Sequence, residues 1–419
     1  MAPLAESFAS LIAPVTPEDF LARYWERGYL HLERNRPGLY DDLFGLGDVD
    51  RWILATRTGD PDGILVVPPT GSEVSLQRYR TGELAADQAY EAVAEGHSLI
   101  LNQLEKTWPP LGPLLSMLGE VFCARIGVNA YLTPVGSKAF PVHIDNHDAF
   151  ILQVFGEKVW QLHEFEHLPV SSHSLEYKQD LDIPPLWDSP GEAPRLVELR
   201  LRSGDLLYIP RGMPHCAVAR DAPSLHLTVS INALYWLDFL KAAVEQACFS
   251  VPALRRSLPP RFVSDPLIQE RMRIEFGAVL EGFLEQASFD ATLAAAMRRR
   301  VRLQGYPQDG HISQLLHLDE VVEDSLLERR PGLLCMVDCA PGQGTCKLRF
   351  GGGCLKGPAR LRSAMEFVRD HPRFRAAELP GLDASGQVVL ARRLVRMGLL
   401  RLSAGQGSGV SRQEALSAG

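Results

Sequence analysis

The sequence predicts an α+β protein built around a double-sheet jelly roll, with helices leading into it and a mostly helical region following it. Between about Arg125 and Asn232 the chain breaks into short apolar runs, VNAYLT, AFILQVF, KVWQLHE, LVELRL, DLLYIP, CAVA and LHLTVSI, separated by turn residues. Short strands bounded by turns are the pattern of a two-sheet barrel. On either side of that stretch apolar residues recur at helical spacing with charges between them. With 419 residues, 46% hydrophobic and 22% charged, the chain has room for two or three domains and a large core.

Taken in order, residues 1–124 form a lead-in. TPEDFLARYWERG predicts a helix with Thr16 as its cap, Pro17 in its first turn and Gly28 closing it. YLHLER reads as a strand, and DVDRWILAT as a short helix starting at Asp48. Residues 57–72 read as a loop containing one apolar strand, ILVV, and helices are expected over 83–95 and 110–123. Residues 125–232 are the barrel core. Within it, 164–194 is rich in Pro, Ser, His and Asp and too long for a hairpin turn; a loop of that length is expected to border the mouth of a site. Residues 233–330 read as helices, from YWLDFLKAAVEQAC to DATLAAAMRRR. Residues 331–402 begin with two weak strands, followed by helices at SAMEFVRDHPRF, AAELPG and SGQVVLARRLVRM and a terminal strand. The tail 403–419 is poor in large apolar residues and is expected to be disordered.

The net charge of −8 argues against a chain built to coat nucleic acid or an anionic membrane. Residues 355–402 carry ten basic residues against four acidic ones, but arginine outnumbers lysine throughout the chain, and a solvated helix face explains the excess. The N-terminus lacks a basic segment followed by an apolar one, and no run approaches a membrane span. Seven cysteines without scaffold spacing fit a reducing cytoplasm. Cys335, Cys339, Cys346 and Cys354 lack a CxxC pair, so free thiols are expected there in place of zinc.

The chemistry concentrates between Asn129 and His163. His143 and Asp145 stand two residues apart, on one face of an extended segment. His215 follows the strand and turn GDLLYIPRGMPH. Two imidazoles and one carboxylate make a facial triad for Fe(II), which leaves positions open for O2 and a co-substrate. His-x-Asp alone is a weak signal; the strand-and-turn setting of both parts strengthens it. His147 extends the pattern to HxDxH and reads as a pocket-rim residue or a polar surface residue. If no bulge intervenes, Lys158 shares its strand face with Leu152, Val154 and Gly156 and points inward. A buried lysine needs an anion. Arg211 and Arg202 are weaker candidates for the same contact.

These segments, N-x-Y at Asn129 and Tyr131, TPVGS, the HxD pair, FILQVFGEKVW, GDLLYIPRGMPH and LHLTVSI, resemble the JmjC-type, cupin-fold 2-oxoglutarate oxygenases, and among them the ribosomal oxygenases that hydroxylate protein side chains. The resemblance implies a double-stranded β-helix with Fe(II) at His143, Asp145 and His215. It implies that Lys158 pairs with the distal carboxylate of 2-oxoglutarate. Tyr131 and Ser230 match positions lining that pocket, and Asn129 matches a polar position beside it. It further implies a helical dimerisation region over 233–330, hence a homodimer, and a winged-helix-like domain over 331–402. The expected activity is hydroxylation of a protein or peptide with succinate and CO2 as co-products. Competing readings are tailoring of a ribosomally made peptide, histone-type demethylation, and a non-catalytic DNA-binding regulator, for which an intact triad would be superfluous.

Overall fold

The computed structural model describes residues 7–55, 63–68, 86–138, 140, 142–164, 195–303, 310–339 and 344–403. The chain divides into two compact units, Met1–Ala233 and Leu234–Gly419. Among the described residues no helix is long and apolar enough to cross a membrane.

The first unit is an antiparallel barrel-like sheet with flanking helices. Its strands are β1 (Leu30–Leu32), β2 (Ile64–Val67), β3 (Ser98–Leu101), β4 (Arg125–Thr133), β5 (Asp148–Glu164), β6 (Arg195–Arg202), β7 (Leu206–Ile209), β8 (His215–Val218) and β9 (Ser224–Asn232). They run in the order β1-β7-β5-β9-β4-β3-β2, with β6 and β8 also paired to β5. The first half of β5 lies against β7 and β9, and its second half against β6 and β8.

One strand therefore serves both sheets, where the sequence reads as two, AFILQVF and KVWQLHE. The chain bends there without a break. The register against β9 shifts between Gln153 and Phe155, and Gly156 sits at φ +65°. A Cβ at Gly156 would lie 1.7 Å from the Pro223 carbonyl oxygen, so only glycine fits.

Alternation along β9 assigns the faces. Leu225, Leu227, Val229 and Ile231 are fully buried on one side, leaving His226, Thr228 and Ser230 on the other. Cross-strand partners repeat the division: Tyr131 opposes His226, Asn129 opposes Thr228 and Gly127 opposes Ser230. The N-terminal segment packs through rings. Phe20 meets Tyr208 edge-on at 4.9 Å and Phe150 at 5.6 Å, and Trp25 stacks on Phe122 at 4.6 Å. Such pairs add about 0.5–1.5 kcal/mol each beyond the area they bury. The lead-in helix Pro17–Arg23 starts as its sequence predicts, with Thr16 Oγ1 accepting from the Asp19 amide at 3.1 Å. The helices Leu46–Ala55, Ala86–Ala94 and Gly112–Val121 also fall where expected. The 165–194 part of the expected mouth loop and residues 404–419 of the tail lie outside the described residues.

The second unit opens with the helices Trp236–Ala247, Pro266–Gln286, Phe289–Leu303 and His311–Leu316. Two three-stranded sheets follow. One pairs β10 (Leu326–Arg329) with β14 (Arg373–Arg375) and β15 (Leu400–Leu402); the other is β11 (Cys335–Cys339), β12 (Thr345–Phe350) and β13 (Gly353–Pro358). The helices Arg362–Asp370 and Ala384–Arg396 complete it. Leu327, Leu348, Phe350, Met365 and Leu394 share one core.

Two expectations fail in this unit. Within 331–402 three strands, β11, β12 and β13, precede the first helix where two were expected, because short strands such as KLRF alternate too briefly to stand out; AAELPG contributes only a 3-10 turn, Ala376–Glu378. Cys339 and Cys346 are not free thiols. They are directly opposed on β11 and β12 and form a disulfide, a pairing that sequence spacing cannot reveal. Cys335 and Cys354 are free.

Candidate metal centre

His143, Asp145 and His215 converge. One ligand atom from each lies within 4.8 Å of the others. Asp145 Oδ1 stands 3.9 Å from His143 Nε2, and Oδ2 stands 3.7 Å from His215 Nε2. His143 and His215 form an isolated antiparallel bridge, and Gly212 donates to the Asp145 carbonyl at 2.9 Å. The turn before β8 is thus fastened to the HxD segment on both sides of the site.

His215 Nδ1 lies 2.9 Å from the Met213 carbonyl oxygen. Donation through that bond fixes the tautomer and leaves Nε2 with its lone pair free for a metal. Burial, opposed by the Asp145 carboxylate, holds His215 down to about 4, so the ring is neutral and competent as a ligand at neutral pH. His147 stays outside the cluster. Its Nδ1 is buried and, among the described residues, without a hydrogen-bond partner.

Beside the triad lies a cluster of buried polar and ring side chains. Lys158 is 1% exposed, and its Nζ donates to Thr133 Oγ1 at 2.9 Å. No carboxylate pairs with it among the described residues. Burial drives its amine down to about 7. His226 stacks face to face on Tyr131, 4.8 Å between centroids, and meets the Trp160 ring at 5.4 Å. Burial, then the Lys158 charge, keeps His226 well below the usual imidazole range. His226 Nδ1 and Trp160 Nε1 are buried and unpartnered among the described residues. Burial, then Asp145, raises the Tyr131 phenol. A buried amine without an anion, next to orphaned ring nitrogens, is costly unless a ligand with acceptors completes it. A dicarboxylate fits that requirement, and the His, His, Asp donor set fits Fe(II).

The other predicted residues divide. Asn129 and Tyr131 share a face of β4, and Asn129 Oδ1 accepts from the Gln103 amide at 2.9 Å. Ser230 lies farther along the same interior face of β9, where it donates to the Gly127 carbonyl at 3.2 Å. Arg211 is not available for a co-substrate: it is locked onto the buried carboxylate of Asp148 at 2.9 Å and onto Glu26. Arg202 pairs with Glu157 at 4.0 Å on an outer strand. Sequence reasoning missed Thr133, His226 and Trp160. Thr133 repeats the parity of Asn129 and Tyr131, and His226 repeats that of Ser230; face periodicity could have found both.

The JmjC domain family matches residues 114–239. The chain is 34% identical over 267 residues to ribosomal oxygenase 1 of Gallus gallus, covering 61% of this chain and 42% of that protein. It is 30% identical over 261 residues to the bifunctional lysine-specific demethylase and histidyl-hydroxylase NO66 of Drosophila mojavensis, covering 59% of this chain and 28% of that protein. The chain thus spans less than half the length of these curated relatives. In fold it is similar to YcfD, a ribosomal oxygenase from Escherichia coli, with a TM-score of 0.54 at 18% identity, covering 93% of this chain and 98% of that one. A YcfD structure in complex with cobalt and 2-oxoglutarate matches at 0.52, covering 92% and 98%.

Proposed function

We propose that this chain, whose residues 114–239 match the JmjC domain family and which is similar to ribosomal oxygenases, is an Fe(II)- and 2-oxoglutarate-dependent oxygenase that hydroxylates a side chain of a protein. The observation that carries the reading is the His143, Asp145 and His215 cluster standing beside a buried Lys158 that has no anionic partner among the described residues.

Fe(II) with 2-oxoglutarate and O2 supplies the oxidising power to place one oxygen atom on a carbon, giving succinate and CO2. The chain's own part is binding and positioning. His143, Asp145 and His215 hold the metal, with His215 oriented by Met213. Lys158 anchors the far carboxylate of 2-oxoglutarate by a charge-assisted bond, steadied by Thr133. Tyr131, Asn129 and Ser230 line the co-substrate site. Trp160 and His226 close it with ring surfaces that exclude water. Holding the co-substrate in one pose is what lets a single C–H bond be selected.

The substrate class rests on the relatives' names, ribosomal oxygenase and histidyl-hydroxylase, so a histidine of a ribosomal protein is the first target to test. The second unit supports self-association. Its helix Pro266–Gln286 buries no residue within the chain and exposes Leu267, Ile274, Phe276 and Leu284, a length of apolar surface suited to a second copy. The sheet and helices of 331–402 are compatible with a winged-helix-like module used for protein contacts. Intact-mass analysis of candidate ribosomal proteins after incubation, seeking a gain of one oxygen atom, tests the activity. Succinate formation without any modified protein, peptide or demethylated product would count against it.

A further inference from the structure

The second unit holds two adjoining cavities that the oxygenase chemistry does not use. The larger, about 510 Å³, is walled by Arg298, Arg299 and Arg302 from the helix Phe289–Leu303, by Arg349 from β12, and by the Gly352–Gly353 turn. Its one acidic wall residue among those described is Glu245. Arg349 has a buried Nε without a hydrogen-bond partner among the described residues, although Asp338 stands 3.5 Å away. Arg298 and Arg302 are spaced to share one helix face, where like charges repel. Arginine is common in this chain, but here four guanidinium groups from two elements about fifty residues apart meet at one concavity. A solvated helix face would disperse them.

The smaller cavity, about 320 Å³, is aromatic. Trp236, Phe239 and Phe289 line it, and Arg299 and Ala242 belong to both walls. Trp236 meets Phe239 edge-on at 5.7 Å, and Phe239 lies 5.7 Å from Phe289. Trp236 is 77% exposed, so its indole face is open to a ligand.

We infer that these cavities together form a binding site for a nucleoside polyphosphate, with the phosphates among Arg298, Arg299, Arg302 and Arg349 and the base against Trp236, Phe239 and Phe289. Four guanidinium groups stand against Glu245 in the larger cavity and Asp238 in the smaller, with Asp338 beside Arg349, so positive side chains outnumber negative ones where the phosphates would lie. Arginine's planar fork recognises phosphate oxygens in pairs. An aromatic wall accepts any flat base, and Arg299 joins the two halves. Both volumes lie within the range of small-molecule pockets, roughly 300–1,000 Å³.

Equilibrium dialysis of the full chain against ATP, GTP, tripolyphosphate and citrate tests the site. EDTA is present throughout, so that no metal at His143, Asp145 and His215 recruits phosphate. Both nucleotides bind, and more tightly than tripolyphosphate. The double variant R298A/R302A weakens all phosphate ligands by about tenfold or more. Trp236→Ala weakens the nucleotides several-fold and leaves tripolyphosphate unchanged. These side chains lie on or near the surface, so thermal unfolding of each variant should stay close to that of the parent. Failure of ATP and GTP to bind overturns the proposal. So does nucleotide binding unaltered in R298A/R302A, or citrate held as tightly as ATP. Binding of an RNA oligonucleotide without either mononucleotide overturns it as well.

Discussion

His143 and His215 are directly opposed across an antiparallel bridge, each donating its backbone N–H to the other's carbonyl, at 3.0 and 2.9 Å. Two imidazoles from distant parts of the chain are thereby set side by side by the main chain, with ring centroids 4.4 Å apart. The geometry of the pair exists before any metal arrives. Asp145 then completes the set from the strand-like segment that already carries His143. A preformed arrangement of this kind lowers the ordering cost of binding.

Asp145→Ala should therefore abolish stoichiometric iron binding and co-substrate turnover while leaving the fold intact, because the bridge does not involve the carboxylate. Metal analysis with a succinate assay checks this. Full iron content and turnover in the variant would remove Asp145 from the ligand set.

Lys158→Ala should raise the apparent constant for 2-oxoglutarate by about one to two decades and spare the metal. A charge-assisted hydrogen bond in a dry site is worth about 1.5–3 kcal/mol, and about 1.4 kcal/mol is tenfold. A titration curve superimposable on the parent's would mean that another group anchors the co-substrate.

The pH dependence follows from the same amine, held down to about 7 by burial. Only the ammonium form pairs with a carboxylate. Above about pH 7 binding must take up a proton, so 2-oxoglutarate affinity should fall by up to about tenfold per pH unit, and be flat below. Stability without co-substrate runs the other way. Unfolded Lys158 titrates near 10.5 and the folded amine near 7, so the unfolded state holds more protons in that window and stability from this group rises with pH across it. Calorimetric titrations in buffers of different ionisation enthalpy would detect the uptake. An affinity constant across the same range would contradict it.

Asp148 is fully buried, accepts from the Tyr208 hydroxyl at 2.6 Å and pairs with Arg211 at 2.9 Å. Removing one partner strands the other, so Arg211→Met should cost about 3–5 kcal/mol in unfolding experiments. The double variant D148N/R211M should recover part of that loss. A single variant as stable as the parent would show that the network is dispensable.

Much of this was legible in the sequence because the signals were local. HxD sits on one extended segment, the GDLLYIPRGMPH turn presents His215, and Thr16 caps its helix. The parity argument brought Lys158 to the inside, but only with the proviso that no bulge intervened. A bulge does occur, and the amine is buried nonetheless, because Gly156 turns the strand as the register shifts. What stayed hidden depended on register between distant strands: the stacking of His226 on Tyr131, the orphaned Trp160 nitrogen and the pairing of Cys339 with Cys346. Arg211 misled for the same reason, since Asp148 and Glu26 become its neighbours only after folding.

The bend at Gly156 makes β5 intolerant of changes in length. Asp148 must face the Tyr208 and Arg211 network at one end, while ten residues later Lys158 must enter the buried cluster at the other. Deleting or inserting a single residue between them would rotate the amine to the outer surface while leaving composition, charge and predicted strand content unchanged. Among descendants of this sequence, the spacing from Asp148 to Lys158 should prove more durable than the identity of most side chains between them.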